Sequence, residues 1–185
     1  CYRLLETLRT FASDQLILTG EDGQLRHDHA AWMLRLARQA DKAMRSAERP
    51  NWLARLDNEI DNLRAALGWA VQVEPETALA LAGVLQEFWY SRGYNDEGRE
   101  WLRRSLAAVP GATADRVRAL NALGQLLGQQ SDYAEAQRQL DQAETLARSL
   151  NDQAGLAETL RLAAWAANDR HDQAKAIALF HEALP

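Results

Sequence analysis

Apolar residues return at three- and four-residue steps through most of the chain, the spacing that gathers side chains on one face of an α-helix. Leu4, Leu5, Leu8, Phe11, Ala12 and Leu16 form the first such stripe, and Gly20 follows as its expected C-terminal cap. A turn at Glu21-Asp22-Gly23 leads to a second stripe of Met33, Leu36, Ala37, Ala40 and Met44. Pro50 and Asn51 then punctuate the chain. Asn51 is placed to cap a third helix, in which Leu53, Leu56, Ile60, Leu63, Leu67 and Ala70 make the most regular seam of the sequence. Pro75 suits the first turn of a fourth helix, where a missing amide donor costs nothing, and that helix is expected to run to about Ser91 before Gly93 ends it. A fifth, from about Asn95 to Val109, carries Trp101, Leu102 and Leu106 inward and stops at Pro110-Gly111.

Beyond Gly111 the chain repeats itself. Val117 to Ala143 can be laid over Ala157 to Ala183 at a constant offset of 40, so that Leu120, Leu123, Gly124 and Leu127 meet Leu160, Ala163, Ala164 and Ala167. Further on, Ala136, Leu140 and Ala143 meet Ala176, Phe180 and Ala183. A fixed period with helical spacing inside each unit predicts helix pairs stacked on one another. Thr113 and either Asn151 or Asp152 are placed to cap the first helix of each unit, with Tyr133 and His171 near the start of the second. Period-two alternation is sustained nowhere, so the expected fold class is all-α, with about nine helices and no strands.

Composition narrows the class further. The 185 residues are 47% hydrophobic and 25% charged, the profile of an ordinary soluble protein with one or two helical subdomains. A formal charge of −5, with no concentrated Lys/Arg run, argues against direct nucleic-acid binding. The sole cysteine is Cys1, which precludes an intrachain disulfide and points to a reducing compartment, hence a cytoplasmic location. No apolar stretch is long enough to span a bilayer, so no membrane association is expected. The chain lacks an initiator Met and opens in a helical pattern at Tyr2, which suggests a fragment of a longer protein.

Leu123-Gly124, Tyr133 and Ala136, in that order, resemble a tetratricopeptide repeat with a connection longer than the usual unit of about 34 residues. Gly98, Leu102 and Ser105 stand for Ala136, Leu140 and Ala143 at an offset of 38, as in a degenerate earlier unit. The resemblance implies a right-handed superhelical stack over residues 74–185, with units near 74–110, 113–150 and 153–185, preceded by a helical arm over residues 1–73. A second resemblance lies in the arm. Tyr2-Arg3-Leu4-Leu5-Glu6-Thr7 with Phe11-Ala12, and Glu59-Ile60-Asp61-Asn62-Leu63-Arg64-Ala65-Ala66-Leu67, are similar to segments downstream of the nucleotide-binding core in bacterial STAND-class regulators. These are signal-transduction ATPases of the LuxR-like and actinobacterial-antibiotic-regulator-like kinds. The resemblance implies a sensor region that receives an inducer or partner protein and relays it to an upstream ATPase core. No Gly-x-x-x-x-Gly-Lys-Ser/Thr loop occurs, so no nucleotide or other cofactor is expected in this fragment.

In a tetratricopeptide stack the first helix of each pair lines the concave surface, and the resemblance places that lining at named positions. These are Glu87 and Tyr90 in the degenerate unit, Arg118, Asn121, Gln125 and Gln129 in the next, and Glu158, Arg161, Trp165 and Asn168 in the last. Such a groove offers hydrogen bonds from Arg, Asn and Gln with stacking on Trp165, suited to a protein or small-molecule inducer; the same positions would equally serve as a solvated face. Phe88, Trp89, Tyr90, Tyr94 and Trp101 form an aromatic cluster that reads as core more readily than as pocket, as do Trp32, Trp52 and Trp69. His27 and His29 lie two apart, on nearly opposite sides of a helix, and cannot share one metal there; His171 and His181 have no partner at ligand spacing. Asp57, Glu59 and Asp61 scatter around a helix and can pair with Arg55 and Arg64. With no nucleophile beside a base, the reading is of a protein that is not an enzyme. The alternative is a stand-alone tetratricopeptide scaffold for protein partners. A homodimer is compatible with either.

Overall fold

The computed structural model describes residues 15–183 apart from Ile17; among them Gln15, Leu16, Leu18 and Thr19 are helical, and from Asp22 on there are ten α-helices, more than the nine expected, and no strand. They are α1 (Asp22–Ala43), α2 (Arg49–Asn58), α3 (Ile60–Val73), α4 (Pro75–Val84), α5 (Gln86–Arg92), α6 (Asn95–Ala108), α7 (Ala114–Gln129), α8 (Tyr133–Leu150), α9 (Gln153–Asp169) and α10 (Gln173–Ala183). Cys1 and the first apolar stripe from Leu4 to Ala12 lie outside the described residues. Among those residues no helix is long and apolar enough to cross a membrane.

Three local expectations are corrected. Asp22 and Gly23 belong to the first turn of α1, not to a turn before it, while Gly20 adopts the left-handed φ of +73° expected of a cap. The third predicted helix starts at Arg49, with Pro50 in its first turn instead of Asn51 as cap, and it breaks at Glu59 (φ −104°, ψ 6°) into α2 and α3. The fourth breaks likewise at Leu85 (φ −83°, ψ 7°) into α4 and α5. Each break costs one residue whose dihedrals remain near the helical region. The apolar seam therefore continues across it in sequence.

Helices α7 and α8 pack as a pair, as do α9 and α10; α7 also packs on α4 and α6, and α9 on both α7 and α8. The arm helices α1 and α3 pack on α4. Enclosed by α1, α3, α6 and α7, α4 is apolar all round, and every residue from Ala78 to Val84 is buried. Gly83 lets α7 approach: a Cβ there would lie 3.3 Å from the Ala119 amide nitrogen. The core runs from Met33 and Leu36 on α1 through Leu63, Leu67, Leu81, Trp89 and Leu102 to Leu126 and Ala147. A second, small cluster of Leu140, Leu162 and Ala163 joins α8 to α9.

The sequence period recurs in the backbone. Gly93, Ser131 and His171 all adopt left-handed φ (71°, 63° and 63°) at the turn inside successive helix pairs. After each of them an amide folds back onto the preceding helix: Tyr94 N–H donates to the Trp89 carbonyl at 2.9 Å, Asp132 to Leu127 at 3.1 Å and Asp172 to Ala167 at 3.0 Å. Asp132 and Asp172 then cap α8 and α10, accepting from the Glu135 and Lys175 amides at 3.3 and 3.1 Å. Thr113 caps α7 as expected, accepting from the Arg116 amide at 3.1 Å. Of the two candidates for α9, Asp152 is the cap, holding the Gly155 amide at 2.9 Å, whereas Asn151 is the left-handed residue that ends α8.

Candidate ligand groove

Helices α5, α7 and α9 present one polar face each to a shared groove, and the C-terminal end of α1 borders it. Two adjoining cavities follow this groove, of about 350 and 1160 Å³, and both touch Arg161 and Trp165. Of the ten predicted lining residues, Tyr90, Gln125 and Gln129 border the smaller cavity, and Glu87, Arg118, Asn121 and Glu158 the larger. Asn168 borders neither.

Asn121 departs from the expected exposure. It is 2% exposed at the contact of α7 with α9, where its Nδ2 donates to the Gly155 carbonyl at 3.4 Å and its Oδ1 has no partner. That carbonyl also accepts from the Thr159 hydroxyl at 2.8 Å, so Asn121 forms part of the groove's floor. Gln125 is half-buried and accepts from Gln86 Nε2. Trp165 is 52% exposed and meets Phe180 in a T-shaped contact, with centroids 5.9 Å apart at 89°, and it borders both cavities.

Charge in the larger cavity is organised across helices. Arg161 grips Glu158 through two bonds of 2.9 and 2.6 Å, which holds the guanidinium even more firmly in its charged form, against the opposing effect of burial. Glu158 also meets Arg45 of the arm at 3.5 Å. Arg49 reaches Glu87 at 3.4 Å and the Ser91 hydroxyl at 2.7 Å, while its buried Nε has no acceptor. Asp41 pairs with Arg118 at 2.9 Å, and Arg38 approaches Asp115 at 4.0 Å. The end of α1 is thus tied to α7, and Arg45 just beyond it to α9, by ion pairs, apart from the apolar contacts of α1 with α3 and α4.

Sequence reasoning missed Tyr133, Asp169 and Lys42, all of which line the cavities. Asp169 was within reach, because it is the residue 40 positions after Gln129. The resemblance placed the lining at Asn168 instead, one position before it. The aromatic cluster divides: Phe88 and Trp89 are core at 1% and 0% exposure, while Tyr90 is 40% exposed and faces the smaller cavity. The charged face around Asp57 to Asp61 is paired, though Asp57 takes Arg92 (2.6 Å) and Arg64 bridges Asp61 and Glu97. Arg55 lies instead over the Trp52 ring at 5.0 Å.

These features define an all-helical module with a charged, aromatic-edged groove along its first-in-pair helices. No family model matches the chain. Over 128 residues, 64% of the chain, it is 38% identical to the putative HTH-type transcriptional regulators Mb0914c of Mycobacterium bovis and Rv0890c of Mycobacterium tuberculosis. The chain spans only 14% of the length of these relatives.

Proposed function

We propose that this chain is the non-catalytic sensor portion of a bacterial transcriptional regulator, in which helix pairs of the tetratricopeptide kind bind an inducer or partner protein in the groove. The arm α1 to α3 couples groove occupancy to a STAND-type ATPase core elsewhere in the parent chain, through the seam at Leu56, Ile60, Leu63 and Leu67. On this reading the fragment acts in the cytoplasm, carries no cofactor of its own and leaves DNA contact to another part of the parent.

The observation that supports the reading most is the set of ion pairs from the end of α1 and the residues just after it to the groove helices α7 and α9, Asp41 to Arg118 and Arg45 to Glu158. A ligand that competes for Glu158 or Arg118 changes the free energy of arm docking, which is what a two-state relay requires. The similarity to regulators named as HTH-type supports it independently. The test is a transcriptional reporter driven by the full-length parent, with Trp165→Ala and Glu158→Gln introduced singly. Both substitutions are expected to blunt induction without lowering protein level. Full induction in both variants would overturn the sensor assignment.

A further inference from the structure

We propose that the smaller cavity binds a short zwitterionic ligand, about the length of a free tripeptide, with its anionic end at Arg161 and its cationic end at Asp169. The proposal names the ligand class of the groove described above and rests on that reading for its biological meaning.

Helix α9 carries Arg161, Trp165 and Asp169 at successive four-residue steps, and all three line the cavity. At a rise of about 1.5 Å per residue the two charged positions stand roughly 12 Å apart along the axis. An extended tripeptide reaches about 10 Å between its termini, close enough for flexible side chains to meet both ends. The preceding unit has Asn121, Gln125 and Gln129 at the corresponding positions, neutral throughout, so the charge–ring–charge order belongs to α9 and is not a property of the repeat.

The two ends differ in sign for structural reasons. On the side of Arg161 that faces the larger cavity, the three guanidinium groups of Arg45, Arg49 and Arg161 share the two carboxylates of Glu87 and Glu158. Two of those contacts are long, at 3.5 and 3.4 Å, and the buried Arg49 Nε donates to nothing. Within the smaller cavity Arg161 is the one cation, and among the described residues its Nη1 enters no hydrogen bond, which leaves a donor for an incoming carboxylate. Asp169 is the last residue of α9, at the negative end of the helix dipole. Among the described residues it enters no ion pair, and its neighbour Arg170 does not line the cavity. An ammonium group placed there meets an uncompensated carboxylate.

Between the ends, Gly128 leaves open space beside α7, with nothing within 4 Å of where a Cβ would stand, while Gln125 and Gln129 offer amide groups at a four-residue step. Tyr90 and Trp165 supply ring surface for a planar peptide group or an apolar side chain. The volume of about 350 Å³ suits a small molecule. A protein tail would bring only one charged terminus, and a dianion or dication would meet like charge at one end.

The test is titration of the whole chain with the tripeptide Gly-Phe-Gly bearing free termini, with its N-acetyl and C-amide forms, and with a saturated ω-amino acid of equal length. Binding is followed by calorimetry and by the Trp165 indole resonance. The free tripeptide is expected to bind, and each cap to weaken it about tenfold, the loss of one charge-assisted contact. Asp169→Asn should remove the penalty for acetylation alone, and Arg161→Gln the penalty for amidation alone; Asp169 is exposed, so its variant keeps the test meaningful if Arg161→Gln fails to fold. Equal binding by the ω-amino acid would support the zwitterion and assign the natural ligand to a non-peptide source. Indifference to both caps, or no change in the indole resonance at millimolar peptide, would overturn the proposal. If peptide binding holds while the reporter ignores Trp165→Ala and Glu158→Gln, the site stands and the regulator reading falls.

Discussion

At the scale of single residues, two helical glycines make opposite predictions. A Cβ at Gly98 would lie 2.7 Å from Trp89 Cγ and 2.9 Å from Leu126 Cδ1, both in fully buried side chains that cannot retreat. Overpacking of this kind costs about 1–3 kcal/mol, more than the roughly 1 kcal/mol that alanine contributes to a helix interior, so Gly98→Ala should lower stability in urea denaturation. At Gly68 the nearest atom is Trp101 Cη2 at 3.8 Å, an ordinary contact, and Gly68→Ala should raise stability by about 0.5–1 kcal/mol. If both substitutions stabilise, the tight packing of α6 on Trp89 is wrong. His27 and His29, two apart on α1, should titrate in opposite directions. His27 bonds to Glu74 at 2.5 Å, which raises its pKa above the ordinary 6.5, whereas His29 is half-buried and desolvation lowers its pKa. What His27 contributes to stability is therefore complete below pH 6.5 and lost as pH rises through its raised value. For His29 the contribution is complete above 6.5 and lost as pH falls through its lowered value. Titration of the imidazole proton resonances checks this, with Glu74→Gln expected to move His27 and leave His29 in place.

Among the helices, the caps matter most to the repeat geometry. Asp152 both holds the Gly155 amide and sits at the junction between α8 and α9, so Asp152→Ala should cost about 0.5–2 kcal/mol, measured as a lowered denaturation midpoint with unchanged m-value. An unchanged midpoint would mean that the cap does not set the junction. Helix existence was legible in the sequence because the i, i+3, i+4 seams reflect burial directly: Leu56, Leu63 and Leu67 were assigned inward and are 1%, 0% and 0% exposed. The break at Glu59 was not legible, since no Pro or Gly marks it and the seam passes through unaltered, and at Leu85 the nearest mark is Gly83, two residues earlier, inside the helix. The choice between Asn151 and Asp152 stayed open for a similar reason. Both residue types favour caps and left-handed turns, and only the three-dimensional junction assigns one role to each. Nine of the ten lining positions implied by the tetratricopeptide resemblance border one of the two cavities. Asn121 could not be placed on the exposed or buried side, because polar residues at a helix contact are buried only where a carbonyl such as that of Gly155 is there to receive them.

Across the whole molecule, the helices are held by cores of unequal size. The main cluster is continuous from α1 to α8, whereas α9 and α10 depend largely on the small cluster of Leu140, Leu162 and Ala163, and on α10 only Ala176 is buried. Local stability follows buried apolar contact, so amides of α10 should exchange with solvent far faster than those of α4, where Ala78 to Val84 are all buried. The ion pairs from the end of α1 and from Arg45 to α7 and α9 do little to alter that ranking. Arg45 and Arg118 are 84% and 44% exposed in their side chains, and exposed pairs contribute only about 0.2–1 kcal/mol each and weaken with salt. What holds the arm is the buried stripe of Met33, Leu36, Ala37 and Ala40, so Leu36→Ala should cost about 2–5 kcal/mol while Asp41→Asn costs less than about 1 kcal/mol. That difference is what a relay needs. The apolar stripe keeps α1 folded against α3 and α4 in either state, and the weak polar ties leave its C-terminal end free to shift at small energetic cost when the groove fills. Hydrogen exchange read along α1 discriminates this from a rigid arm. Asp41→Asn is expected to lower protection only near Ala40 to Met44, at the end beside the groove, and uniform loss along α1 would show that the ion pairs hold the whole helix.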